Sequence, residues 1–156
     1  MSDIYKTPEA DLAADVHDAD VSYAGFWLRA VASLLDSIWV VLMILTLGWM
    51  IYGASYLSST ALIQGWADFL ISYVLPFILT LLFWAWKGAT PGKMILGMKI
   101  VDAETHELVP KGRLTLRYLG YYISMIPLFL GFFWVAWDKR KQGWHDKIAR
   151  TVVIKN

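Results

Sequence analysis

Residues 23–52 form an almost unbroken apolar run that carries only two charged side chains, Arg29 and Asp36. Between residues 38 and 50 the only polar side chain is Thr46. About 20 residues of helix cross the hydrocarbon core of a bilayer, and this run exceeds that length. Trp27 at one end and Trp49 and Tyr52 at the other are placed as interfacial anchors. The run therefore predicts a membrane-spanning helix over residues 24–52.

The two charges are seven residues apart, which is two helical turns, so they share a face. Ser33 lies between them on that face. A charge at mid-helix costs about 2.5–3.5 kcal/mol on insertion scales. Asp36 is therefore expected to face protein or a water-filled cavity, while Arg29 extends towards water at the helix end. The rise between them is roughly 10 Å, too long for a direct salt bridge. For Arg29 the candidate partners are Asp138 and Asp146; for Asp36 they are a Tyr hydroxyl or Trp indole from another helix, or water. Two readings follow. Asp36 is the titrating group of a cation or proton site, or the charges form a buried polar network that fixes packing and register.

Composition agrees with a membrane setting. Hydrophobic residues make up 58% and charged residues 17%, with a mean hydropathy of +0.48, against roughly half and a quarter in a soluble domain. Cysteine is absent, which excludes disulfides, thiolate metal sites and Cys nucleophiles. Residues 1–22 carry Asp3, Glu9, Asp11, Asp15, Asp18 and Asp20 against Lys6 alone, and read as a disordered acidic cytoplasmic tail rather than a signal peptide.

A second span is predicted over residues 69–87, with a kink at Pro76. The loop before it, 53–68, has no Lys or Arg. The link after it holds Lys87, Lys93, Lys99, Lys111, Arg113 and Arg117. Within that link Thr90-Pro91-Gly92 reads as a turn, and residues 95–102 and 149–155 read as strands that pair on one aqueous face. A third apolar segment, 114–137, is interrupted at Pro127 and Gly131. Basic loops mark the cytoplasmic side. The basic run after residue 137 would then be external after one full crossing. The resolution is that 114–137 enters, breaks and returns, leaving both termini cytoplasmic; a plain third crossing is the alternative.

Asp138, His145 and Asp146 form a second polar cluster beside Lys139, Arg140 and Lys141. Their spacing matches no metal site, and the basic run suits anionic lipid headgroups. Gly92-Lys93 fails as a phosphate loop, because Gly88 is one residue too close and Met94 replaces the Ser or Thr. No His lies within an apolar run, so no heme or other cofactor is expected; nor are a metal or a nucleic-acid partner.

In this order the residues resemble the RDD family of bacterial membrane proteins, named for one arginine and two aspartates. Arg29 and Asp36 match the arginine and aspartate of its first helix. Asp146, within residues 144–153 (WHDKIARTVV), matches the second aspartate better than Asp138 does. The segment TPGK at residues 90–93, followed by LGMKIVD at 96–102, is similar to the family's central region. The resemblance covers residues 23–154 and implies a bacterial inner-membrane setting and suspected transport.

These readings combine into an all-α integral membrane protein: two full transmembrane helices, a broken or re-entrant third apolar segment and a short cytoplasmic β-pair. Residues 23–156 form one membrane domain. The expected function is non-enzymatic transport of a small cation or solute, proton-coupled through Asp36, with Arg29, Ser33, Asp138, His145 and Asp146 as further members of the polar site. The alternative is an accessory protein in which Arg29, Asp36 and Asp146 form one packing network. Two spans enclose little volume, so a homo-oligomer is expected.

Overall fold

The computed structural model describes residues 21–155. The expected disordered tail lies outside the described residues, apart from its last two positions. One of these, Ser22, accepts a hydrogen bond at its carbonyl from the Lys155 amide at 2.8 Å.

Helix α1 (Phe26–Tyr52) is 27 residues long, about 40 Å at 1.5 Å per residue, and covers the first predicted span. A short turn of helix, α2 (Ser55–Ser58), follows. The second apolar segment runs from Trp66 to Ile95 and is long and apolar enough to cross a membrane. It contains α3 (Trp66–Phe69), a π-helical turn (Leu70–Val74), α4 (Leu75–Lys87) and α5 (Pro91–Ile95). Pro76 lies in the first turn of α4, directly after the π-helical turn. A wider turn there accommodates the amide that proline lacks. The expected Thr90-Pro91-Gly92 turn is corrected: Pro91 opens α5. A proline's fixed φ suits a first helical position as well as a turn.

Strand β1 (Met98–Asp102) pairs antiparallel with β2 (Thr151–Lys155), with Ile100 opposite Val153. The pairing is the expected one. Tyr23 adds an isolated bridge to Ile154, and Ala24 donates to the Val153 carbonyl at 2.8 Å. The start of the described chain is thus joined to its end. Ile100 and Val153 are buried on one side of this sheet in a core with Ala32, Trp84 and Leu114, and Val101 and Val152 form a second, smaller cluster with Ala103.

The third apolar segment is broken, as Pro127 and Gly131 predict. Helix α6 (Lys111–Met125) is followed by α7 (Leu130–Phe133) and a 3-10 turn (Trp134–Ala136), and the two arms are bent by 113°. Leu128 and Phe129 occupy the left-handed region at φ 51° and 63°. The return arm lies so close to α6 that a Cβ on Gly131 would stand 2.6 Å from Ser124 Cα and Cβ. Only glycine fits there. Both ends of the bent segment are tied to the sheet end. Arg113 donates to the Asp102 carboxylate and to the Ala149 carbonyl at 2.9 Å. Arg140, just beyond the return arm, donates to the Ala103 carbonyl. Helix α8 (Trp144–Ile148) then leads into β2.

Along α1 the outward side chains are apolar, including Leu34, Ile38, Leu42, Leu45 and Met50. Trp27, Trp49, Trp66, Trp86 and Trp137 are all more than half exposed near the ends of apolar segments. So much exposed apolar surface, rimmed by tryptophan, suits lipid rather than water.

Candidate functional site

Arg29 and Asp36 do share a face of α1, but each meets a different partner, so the charges form two carboxylate centres. The first is Asp146, with a side chain 0% exposed. It lies in the first turn of α8, where its Oδ2 accepts from the Gly143 amide at 2.9 Å. The same oxygen accepts from Arg29 at 2.6 Å, and Oδ1 accepts from Arg117. Arg29 also donates to the carbonyls of Ala24 at 2.8 Å and Lys141 at 2.5 Å; Arg117 donates to Thr151 Oγ1 at 2.6 Å. One carboxylate therefore joins α1, α6, α8 and the start of β2. Burial opposes its ionisation, but Arg117 and then Arg29 outweigh that and hold its carboxyl far below the ordinary range.

The second centre is Asp36, whose side chain is 18% exposed. Its Oδ2 accepts from the Thr90 hydroxyl at 2.5 Å, and its Oδ1 accepts from the Gly92 amide at 2.7 Å and the Trp39 indole at 3.2 Å. Lys93 Nζ lies 3.9 Å away and donates to Thr90 Oγ1 at 3.3 Å. Asp36 thus pins the break between α4 and α5 to α1. The expected tyrosine or tryptophan from another helix is corrected: the indole comes from α1 itself, and the other donors come from residues 90–93.

Between the two centres lies a chamber of about 340 Å³. Arg29, Ser33 and Asp36 line it from α1, Trp84 from α4, Lys93 from α5, Arg117 from α6 and His145 from α8. Five of the six sequence-derived site residues thus have a place in or beside it: Arg29, Ser33, Asp36 and His145 in the wall, and Asp146 behind the two arginines. The sixth, Asp138, is corrected. It accepts from Lys147 at 2.5 Å and from the amides of Gln142 and Arg140 at 3.1 and 3.2 Å, so it shapes the 138–142 loop and does not partner Arg29. Burial opposes its ionisation, and Lys147 more than offsets this, lowering its pKa.

His145 is buried against the rings of Tyr121 and Phe132, at 4.6 and 5.0 Å between centroids. Its Nδ1 lies 3.3 Å from Ser124 Oγ and its Nε2 3.5 Å from Asp146. That order resembles a hydrolytic triad, but the chemistry does not follow. Ser124 is 0% exposed and donates to the Gly120 carbonyl at 2.8 Å, and two arginines already hold Asp146. Burial, only partly offset by Asp146, lowers the His145 pKa to about 3. The neutral ring therefore adds stability above its unfolded pKa near 6.5, and that contribution is lost as pH falls from there towards 3. Between about pH 6.5 and 5 wild-type stability should fall as pH falls, and His145→Gln should flatten the slope, read by thermal unfolding in detergent. An equal slope in both proteins would contradict the assignment.

Arg117, Lys93 and Thr90 are not legible as site residues in the sequence. There Arg117 and Lys93 are two more charges of a basic link, and Thr90 is the start of a turn. One signal is available for Arg117: it stands about one turn before Tyr121 on α6, and both line the chamber. Among the described residues no cluster of His, Cys, Asp and Glu could hold a metal.

The sequence profile of the RDD family matches residues 23–150. An uncharacterised protein of Rickettsia prowazekii is 45% identical over 74 residues, covering 47% of this chain and 40% of the relative. The chain thus spans less than half of that protein's length. Two Bacillus subtilis proteins match more fully. The uncharacterised protein YxaI is 30% identical over 148 residues (84% of this chain, 96% of the relative). The uncharacterised membrane protein YteJ is 31% identical over 146 residues (85% and 81%). No solved structure matches.

Proposed function

The chain belongs to the RDD family of membrane proteins, and on that premise we propose that it is a small polytopic transporter of the bacterial inner membrane. The observation that carries this reading is the chamber of about 340 Å³ lined by ionisable side chains, beside the break between α4 and α5 and between the two arms of the bent segment. Interrupted helices at a polar cavity are how membrane proteins build solute sites without exposing backbone to lipid. In this reading α1 and the 66–95 segment cross the bilayer, while the bent segment enters and returns. The sheet end, with Lys87, Lys99, Lys111 and Arg113, is cytoplasmic, and the 53–65 loop, free of Lys and Arg, is external. Both termini are then cytoplasmic, and the basic face meets anionic headgroups.

Asp36 is the coupling group of the mechanism. As a carboxylate it accepts from Thr90 and Gly92 and attracts Lys93. Protonation removes the charge, weakens those bonds and frees the α4–α5 break to move from α1. The test uses proteoliposomes holding a pH-sensitive dye under an imposed pH gradient. Wild-type protein should dissipate the gradient when Na⁺ or K⁺ is added, and Asp36→Asn should reduce that response at least tenfold. An unchanged response would remove Asp36 from the mechanism.

A second reading rests on the same carboxylate. Three donors and the Lys93 ammonium surround Asp36, as a packing role would require. A non-transporting accessory protein would show no solute response in the wild type, and Asp36→Asn would only lower its thermal stability. We read the protein as non-enzymatic in either case. Self-association through the lipid-facing surface is part of the same proposal.

A further inference from the structure

A second cavity, of about 260 Å³, is an open groove between α4 and α6 on the outside of the protein. Leu81, Ala85 and the buried Leu114 form its floor. Ile78 and Leu82 form its rim on α4 and are about half exposed. Positions 78, 81, 82 and 85 fall on one face of a helix, so the groove runs along α4 for about 10 Å. These side chains are all aliphatic. The charged group in its wall is Lys111, at the first position of α6.

Two ring contacts set the direction of the groove in the membrane. At one end Phe77 and Tyr118 meet edge to face at 4.8 Å and close the seam between the helices. Lys111 stands seven residues before Tyr118, about 10 Å along α6, and so lies at the opposite end. That end is level with the last turn of α4, where the Lys87 ammonium lies 4.4 Å from the ring centroid of the exposed Trp86. Tryptophan beside lysine at the end of an apolar helix marks the membrane surface. The groove therefore starts at that surface and descends into hydrocarbon.

Its placement says what fills it. A helix is about 10–12 Å across, so a 10 Å length of one would need about three times this volume. An acyl chain is narrow enough, and the surrounding bilayer supplies it. At the surface end the positive charge is uncompensated. Lys99 lies there too: its Cγ would be 3.1 Å from a Cβ on Gly88, the residue that ends α4. Among the described residues neither lysine forms an ion pair, and neither do the nearby Glu104 and Glu107. A lysine alone would attract any anion; an aliphatic groove running down from it selects an anion that carries a chain.

We propose that this groove binds one anionic phospholipid, with an acyl chain along Ile78, Leu82 and Ala85 and the phosphate on the Lys111 ammonium. The site goes beyond the general attraction of a basic face for anionic headgroups, because it holds a single lipid at both ends. It shares no residue with the chamber and does not depend on the transport reading. Its walls belong to α4 and α6, so the bound lipid braces the bent segment against the second span.

The test uses the delipidated full chain in mild detergent. Native mass spectrometry counts bound lipid, and thermal unfolding is the second readout. The probes are short-chain phosphatidylglycerol, phosphatidylcholine with the same chains, and glycerol phosphate, a headgroup without a chain. Phosphatidylglycerol should bind one per chain, at least tenfold more tightly than the other two, and raise the unfolding temperature. Leu82→Trp fills the groove from an exposed position and should weaken that binding at least tenfold. Lys111→Gln should remove most of the preference over phosphatidylcholine. Leu116→Trp and Lys139→Gln alter exposed positions outside the groove and should leave binding unchanged. Equal binding of phosphatidylcholine or of glycerol phosphate would overturn the proposal, as would full binding by Leu82→Trp. A loss in Lys139→Gln equal to that in Lys111→Gln would reduce the effect to diffuse surface attraction and overturn it as well.

Discussion

Asp146→Asn is expected to lose about 3–5 kcal/mol of folding stability, because removing one member of a buried ionic group leaves the others uncompensated. Arg29 and Arg117 both depend on this carboxylate, and their side chains are 10% and 1% exposed. The amide retains the shape of the carboxylate and supplies no charge. Its NH₂ group would face a guanidinium, donor against donor. Unfolding in detergent and the yield of folded protein measure the loss. Asp138→Asn is the control, since its partner Lys147 is 45% exposed and screened by solvent. A loss no larger than that of the control would mean that the two arginines find other acceptors. Acid alone should not reproduce the effect at mild pH. The lowered pKa of Asp146 keeps it ionised, and its contribution is lost only well below the ordinary carboxylate range.

Gly92→Ala is expected to separate α5 from α1. A Cβ at this position would collide with the Ala32 carbonyl oxygen and stand 3.0 Å from Asp36 Cγ. The first is backbone, and the second is a carboxyl carbon held in place by three hydrogen bonds. Overpacking of this kind costs about 1–3 kcal/mol. Here it also withdraws the amide and hydroxyl donors that hold Asp36. The variant should lower the unfolding temperature and expose Asp36 to a carboxyl-directed reagent. Gly112→Ala, where a Cβ meets nothing within 4 Å, should change neither. Unchanged reactivity of Asp36 in Gly92→Ala would show that the close approach is not what positions the carboxylate.

Some of this architecture is legible from residue order alone. A charge in a long apolar run identifies itself by its cost, which is why Arg29 and Asp36 stand out. Their spacing places them on one face, and the rise between them excludes a direct pair. The strands are legible because residues rich in Ile and Val at 95–102 and 149–155 flank a segment that has to return to its starting side, though the observed strands are shorter, 98–102 and 151–155. The partners are harder to find. Arg117 belongs to a stretch with Lys111 and Arg113, and one-dimensional charge counting treats all three as solvated. Burial separates them: Arg117 enters the interior beside Trp84, whereas Arg113 stays partly exposed on Asp102. Gly92 and Lys93 lack the spacing of a phosphate loop, and residue order offers them no other role than a turn. Their actual requirement, a close approach to Ala32 and Asp36, depends on tertiary contact 56 positions away. Asp138 and Asp146 are both acidic residues near the end of the chain, and only the fold decides which reaches Arg29.

The Arg29–Asp146 bond joins positions 117 residues apart. A chain made from its amino terminus at about 5–20 residues per second therefore carries the guanidinium for roughly 6–23 seconds before its counter-ion exists. During that interval the Ala24 carbonyl is the one native acceptor available to the guanidinium, and the strand that closes the sheet has yet to emerge. Assembly is consequently weighted to the last moments of synthesis, and a nascent chain stopped short of position 146 is the species most exposed to quality-control proteases.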